Sequence, residues 1–159
     1  MGNSADYFGG GVVMQGSARI RNNTIVANQV GIADAPAGVY ILGSSIVSQN
    51  IIAENTTGYP GGAAAGIVSA FDWDASIFCN DVWGNDSDEI ESMLATVQLN
   101  FNSDPLFCDR TTFGISTNSP CANAGPCGLV GAHPPSCAAT RVESVSWGGL
   151  KLLYRSSQP

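Results

Sequence analysis

Charge is scarce in this chain. Only 12% of its 159 residues are charged and six are basic, against thirteen acids, so the net charge is −7. That balance argues against nucleic acid as a partner, because phosphate recognition needs a basic face. An acidic surface suits neutral sugars or a divalent cation instead. Long apolar runs are also missing: no stretch reaches the ~18 residues of a membrane span. Met1 is followed by Gly2-Asn3-Ser4-Ala5-Asp6, which has neither the basic start nor the apolar core of a signal peptide. Histidine occurs once, at His133, and the cysteine spacings form no paired C-x-x-C zinc site for it to complete. A Gly-x-Ser-x-Gly nucleophile elbow is absent as well.

Cysteine is less scarce. Of five (Cys79, Cys108, Cys121, Cys127 and Cys137), four fall between positions 108 and 137. Such clustering suits an exported, extracellular or cell-surface protein, with disulfides near the C-terminus and an export signal outside this sequence. The odd count requires a free thiol or an intermolecular bond.

What the chain has in abundance is a repeat. Gly38-Val39-Tyr40-Ile41 is followed by Asn50-Ile51-Ile52-Ala53-Glu54-Asn55. An earlier copy reads Gly11-Val12-Val13-Met14, then Asn23-Thr24-Ile25-Val26-Ala27-Asn28. A later one reads Gly66-Ile67-Val68-Ser69, then Asn80-Asp81-Val82-Trp83-Gly84-Asn85. Every landmark moves by 27 positions from the first copy to the second, including Gly16 to Gly43; from the second to the third, the glycine moves by 28 and the asparagines by 30. Short apolar runs at a fixed period mean stacked coils of strand. The fold class is therefore all-β: a right-handed parallel β-helix of about three to four coils, over residues 1–137. Stacked in register at about 4.8 Å, Asn23, Asn50 and Asn80 form a ladder of side-chain amides, and Ile25, Ile52 and Val82 an aliphatic stack beside it. Asn28, Asn55 and Asn85 fall at strand ends, where asparagine tolerates turn conformations.

Two segments depart from the repeat. Asp86 or Ser87 can cap a helix, Asp88, Glu89 and Glu91 suit its first turns, and Ile90, Met93, Leu94 and Val97 recur at i, i+3, i+4 and i+7. This spacing predicts one short amphipathic helix. Pro134-Pro135-Ser136 reads as a linker to a C-terminal tail, residues 138–159, too short to fold alone.

Asn102-Ser103-Asp104-Pro105-Leu106-Phe107, then Ser119-Pro120-Cys121-Ala122-Asn123-Ala124-Gly125 and Leu129-Val130-Gly131-Ala132, resemble the closing coil of bacterial right-handed parallel β-helix proteins of the pectate-lyase-like superfamily. The asparagine repeats are similar to that family's repeat. The likeness covers roughly residues 9 to 137. It implies the fold, and an outward groove on the parallel sheets as the place for chemistry, with carboxylates, often calcium, and a basic residue. Members of that family usually carry more coils and a capped N-terminal end, so the chain resembles the C-terminal part of a longer β-helix. Its open end would expose strand edges, which predicts a homo-oligomer formed by end-to-end stacking or tail exchange.

No family active-site motif is matched residue for residue. On physical grounds, Asp72 and Asp74 flank Trp73 on a strand-like run, so both carboxylates point the same way and can bind a cation or act as acid and base. Asp86 and Asp88 offer further oxygens, giving Asp72, Asp74, Asp86 and Asp88 as candidate calcium ligands. His133 is a candidate catalytic base beside Asp72 and Asp74. Arg19 and Arg21 share a strand face and fit a sugar-acid clamp, a lyase base, or a surface or interface role. Three functions compete: an extracellular carbohydrate-directed module or polysaccharide hydrolase or lyase fragment; a calcium-assisted hydrolase of an ester or lactone, such as an acyl-homoserine lactone; and a non-catalytic structural or adhesion segment. For the second, the chain is similar in size to a small metagenome-derived hydrolase of such lactones, but it lacks the His-x-Asp-His run of the zinc lactonases.

Overall fold

A three-residue strand is unstable alone; its edges must be paired by the next turn of chain. The repeat supplies that pairing. In the computed structural model, which describes residues 1–7, 9–32, 35–58, 66–70, 74–86 and 90–137, successive coils stack into a parallel β-helix. A side sheet is built from β2 (Val12–Gln15), β6 (Val39–Leu42), β10 (Ile67–Ser69) and β13 (Ile90–Ser92). An open sheet is built from β3 (Arg19–Arg21), β7 (Ile46–Ser48), β11 (Ser76–Phe78) and β14 (Thr96–Gln98). A covered sheet holds β4 (Thr24–Val26), β8 (Ile51–Ala53) and β12 (Asp81–Trp83), and a minor sheet holds β1 (Ser4–Ala5), β5 (Gln29–Val30) and β9 (Thr56–Thr57). A closing segment follows, with an antiparallel pair, β15 (Phe107–Asp109) and β16 (Gly114–Ile115), and two 3-10 turns, Pro120–Ala122 and Gly125–Cys127.

Register is fixed by what points inward. Ile25, Ile52 and Val82 stand directly above one another, as do Val39 with Ile67, and Val47 with Ile77. These residues and Met14, Ile41 and Ala75 fill the solenoid interior. Gly43 belongs to the same stacking logic: a Cβ there would strike the backbone of Gly16 one coil away.

The corners explain the asparagines. Asn22, Gln49, Cys79 and Leu99 all have φ between 53° and 59°, the left-handed region that costs an L-residue about 1 kcal/mol or more. Each is followed by a ladder asparagine. The backbone N–H of Asn50 donates to Asn80 Oδ1 at 3.0 Å and its Nδ2 donates to the same oxygen at 2.9 Å and to Ser48 O at 2.9 Å. The amide side chain thus takes up the polar groups that the bend removes from the strand ladder. Asn28, Asn55 and Asn85 make a second ladder of the same kind, begun by Asn3. There the turn conformation belongs to the preceding residues, Ala27, Glu54 and Gly84, and not to the asparagines.

Over residues 90–98 the expected helix does not form. Ile90–Ser92 and Thr96–Gln98 are strands, paired with β10 and β11 as a fourth coil. Ile90 stacks on Ile67 and Val97 on Ile77, so their spacing is that of two inward positions on consecutive strands. Met93 and Leu94 sit exposed at the corner between them. Unpaired edges on β10 and β11 outweigh the helical periodicity. Asn100 supplies a fourth rung, accepting from Asn80 Nδ2 at 2.9 Å.

A second core lies outside the solenoid. The outward residues of the covered sheet, Val26, Ile51 and Ala53, are buried against Ile115, Cys121, Cys127 and Val130 of the closing segment. Apart from Thr24 and Asp81 on its outward side, this sheet is apolar on both faces, as parallel sheets covered on both sides are. Two disulfides tie the closing segment down, Cys79–Cys127 and Cys108–Cys137. The second one, with the Ser136 N–H bond to Ile115 O at 3.1 Å, makes Pro134–Ser136 part of the closing segment and not the linker its sequence suggests. The tail, 138–159, lies outside the described residues.

The free thiol is Cys121, fully buried, with Sγ donating to Asp81 Oδ2 at 2.9 Å. Burial first, and the Asp81 carboxylate second, push this thiol above its ordinary range. A raised folded-state pKa gives stability that is fully present below the unfolded value of about 8.5 and declines as pH rises past it, by up to about 1.4 kcal/mol per unit. Denaturant melts are therefore expected to show the wild type losing stability relative to Cys121→Ala between pH 8.5 and 10. Parallel curves for the two proteins would refute this coupling.

Candidate functional site

Among the described residues, the closing segment covers one sheet and nothing covers its neighbour. On the open sheet, Ile20, Val47, Ile77 and Val97 point inward, so register sets two outward rows: Arg19, Ile46, Ser76, Thr96 and Arg21, Ser48, Phe78, Gln98. A shallow depression of about 210 Å³ lies on this face, lined by Arg19, Arg21, Ile46, Ser48, Gln49 and Phe78. Phe78 is 37% exposed although it sits on a central strand, and both arginines are exposed.

Gln49 organises the depression. It occupies the left-handed corner between the open and covered sheets, with φ of 55°. Its Oε1 accepts from Arg21 Nε, and its Nε2 donates to the carbonyl of Cys127. Cys127 is in turn bonded to Cys79, the corner residue of the next coil. Gly131 N–H donates to Gln49 O at 2.8 Å, and Asn22 Nδ2 to Leu129 O at 3.1 Å, so residues 127–131 run along the corner as a wall. Arg21, a lining residue of the depression, is therefore tied through Nε to a glutamine that the wall anchors in turn.

Of the acidic candidates, Asp74 and Asp86 lie at different corners of the coil. Asp74 is exposed, just before β11, at the corner where the chain enters the open sheet. Asp86 lies past β12, two corners further on; its Oδ2 accepts from the Thr57 N–H at 2.8 Å and its own N–H donates to Asn55 O at 3.1 Å. It closes the free edge of the minor sheet, a structural task. His133 is exposed on the closing segment, past Gly131. Asp72 and Asp88 lie outside the described residues. Among the described residues, no three His, Cys, Asp or Glu side chains gather as ligands for one metal ion.

Sequence reasoning had Arg19 and Arg21 on one face but not their neighbours. The signal was available: positions 21, 48 and 78 are spaced as Asn23, Asn50 and Asn80 are, so the ladder puts Ser48 and Phe78 beside Arg21. The role of Gln49 could not be found this way, because its second partner, the Cys127 carbonyl, comes from the closing segment. Comparison with protein families, curated proteins and solved structures finds no match to this chain.

Proposed function

We propose that the chain is a carbohydrate-directed β-helix module whose working surface is the bare face of the open sheet, and that it binds a polysaccharide bearing carboxylate groups. The observation that carries this reading is that Arg21, held by Gln49, and the exposed ring of Phe78 share one outward row of a parallel sheet, two strands apart. Arginine matches a carboxylate through paired N–H donors. An aromatic face takes the apolar side of a sugar ring. Rows of strand 4.8 Å apart give an extended ligand a repeating surface, at about the spacing named for stacked strands. The local positive charge of Arg19 and Arg21 matters here more than the net charge of the chain, since screening limits charge effects to about 8–10 Å.

Affinity electrophoresis and calorimetry against polygalacturonate, alginate and a neutral glucan test the reading. Retardation by the acidic polymers, weakened about tenfold by Arg21→Ala and only partly restored by Arg21→Lys, is the expected result. Equal behaviour of wild type and Arg21→Ala in all three polymers would sink it.

A further inference from the structure

Among the described residues, the two ends of the solenoid are open on the same two sheets. At one end, β2 and β3 are edge strands of the side and open sheets; at the other, β13 and β14 are the opposite edges of those same sheets. Elsewhere the ends are occupied: β1 covers the edge of β5, and Gly2 N–H donates to Val26 O at the edge of β4. The ladder chemistry of the two ends is complementary. In every interior rung, the N–H and Nδ2 of one asparagine donate to Oδ1 of the next. Asn23 donates to Asn50, and among the described residues no donor reaches Asn23 Oδ1. Asn100 accepts from Asn80, and among the described residues its backbone N–H has no acceptor. One end offers the acceptor that the other end's donor lacks. The core is open in the same way: Val97, an inward residue, is 45% exposed on the terminal coil.

We propose that copies of this chain associate head to tail, β13 and β14 of one copy adding to β2 and β3 of the next, with Asn100 donating to Asn23 across the junction. The partner is a second copy because the chemistry required at each end is that of the repeat itself, in the same register and on the same pair of sheets. Such an interface is heterologous, so it propagates and does not stop at a dimer. It stands independently of what the open face binds, although it would run that face on from Gln98 of one copy to Arg21 of another.

The experiment is sedimentation velocity on the full chain over a wide concentration range, with two edge variants. Val12 N–H donates into the sheet, to Gly38 O, and Thr96 N–H to Ala75 O, so the next residues, Val13 and Val97, direct their N–H groups to the open edges. Proline is tolerated on edge strands and removes only that outward donor. Val13→Pro blocks one end and Val97→Pro the other; Val13→Lys and Val97→Lys replace them if either proline variant fails to melt cooperatively. The wild type is expected to grow in mass with concentration beyond one 16.4 kDa unit. Each variant alone is expected to stay monomeric, and the two mixed to give a dimer, because each retains the end that the other lacks. A wild type that is monomeric throughout, a mixture that gives no dimer, or a single variant that still dimerises through like ends would overturn the proposal. So would assembly that appears only after residues 138–159 are removed, which would make the tail the occupant.

Discussion

Asn50→Ala is expected to lower the stability of the β-helix by about 3–5 kcal/mol, and its melting temperature by about 10 °C. Asn50 is fully buried in the middle of the first ladder. Its Oδ1 accepts from the N–H and Nδ2 of Asn23, and its Nδ2 serves Asn80 Oδ1 and the Ser48 carbonyl. Truncation takes the acceptor from the Asn23 N–H and Nδ2 and leaves the Ser48 carbonyl with only the Asn22 N–H at 3.3 Å, and each buried group that loses its partner costs about 1–3 kcal/mol. The same change at Asn23, exposed at the end of the ladder, should cost only about 1 kcal/mol, because water replaces the lost partners. Asn50→Asp separates hydrogen bonding from charge. It keeps the acceptor for Asn23 but sets a carboxylate against Ser48 O and Asn80 Oδ1, so its penalty should shrink as pH falls and the acid is protonated. Chemical denaturation of the three variants at pH 7 and pH 4 checks the ranking. Equal losses at Asn50 and Asn23 would mean that the ladder contributes little beyond its surface rungs.

The ladder is also where sequence and structure agree most closely, and the reason is geometric. A period of 27 residues with asparagine, aliphatic and glycine landmarks leaves one way to stack coils, since a one-residue slip would turn Ile25, Ile52 and Val82 outward. The fourth coil was hidden because the interval shortens to 20 residues between Asn80 and Asn100. Within it, Ile90, Met93, Leu94 and Val97 satisfy a helical template as well as two short strands. Periodicity cannot arbitrate there; the waiting edges of β10 and β11 do. The site was less legible still. Register alone places Arg21, Ser48 and Phe78 side by side, but which sheet stays bare depends on where the closing segment lies. That is fixed by pairing Cys79 with Cys127, and five cysteines do not declare their pairing in a sequence. The apolar outward positions Val26, Ile51 and Ala53 were the available hint that the covered sheet is buried twice.

That disulfide is the basis of the second large effect. Cys79 and Cys127 are 48 residues apart in sequence, with Cα atoms 5.4 Å apart, and the bond joins a corner of the third coil to the wall of the depression. Chain-entropy arguments give a cross-link of that loop length about 4 kcal/mol, against about 3.5 kcal/mol for Cys108–Cys137, whose separation is 29. Cys79→Ala/Cys127→Ala is thus expected to lower the melting temperature by about 10 °C, with the Cys108→Ala/Cys137→Ala pair close behind. Stability barely distinguishes the two bonds; ligand binding should. Gln49 bonds Arg21 through Oε1 and the Cys127 carbonyl through Nε2, whereas Cys108–Cys137 fastens the β15–β16 hairpin to the chain beyond Ser136. The first pair should therefore lose most of the Arg21-dependent affinity for acidic polysaccharide, about tenfold, while the second retains it at temperatures where both are folded. Calorimetry on the two double variants, well below their melting temperatures, makes the comparison. Equal affinities would mean that apolar packing of Ile115, Cys121 and Val130 on the covered sheet positions the wall without the cross-link, and that Arg21 needs no such anchor.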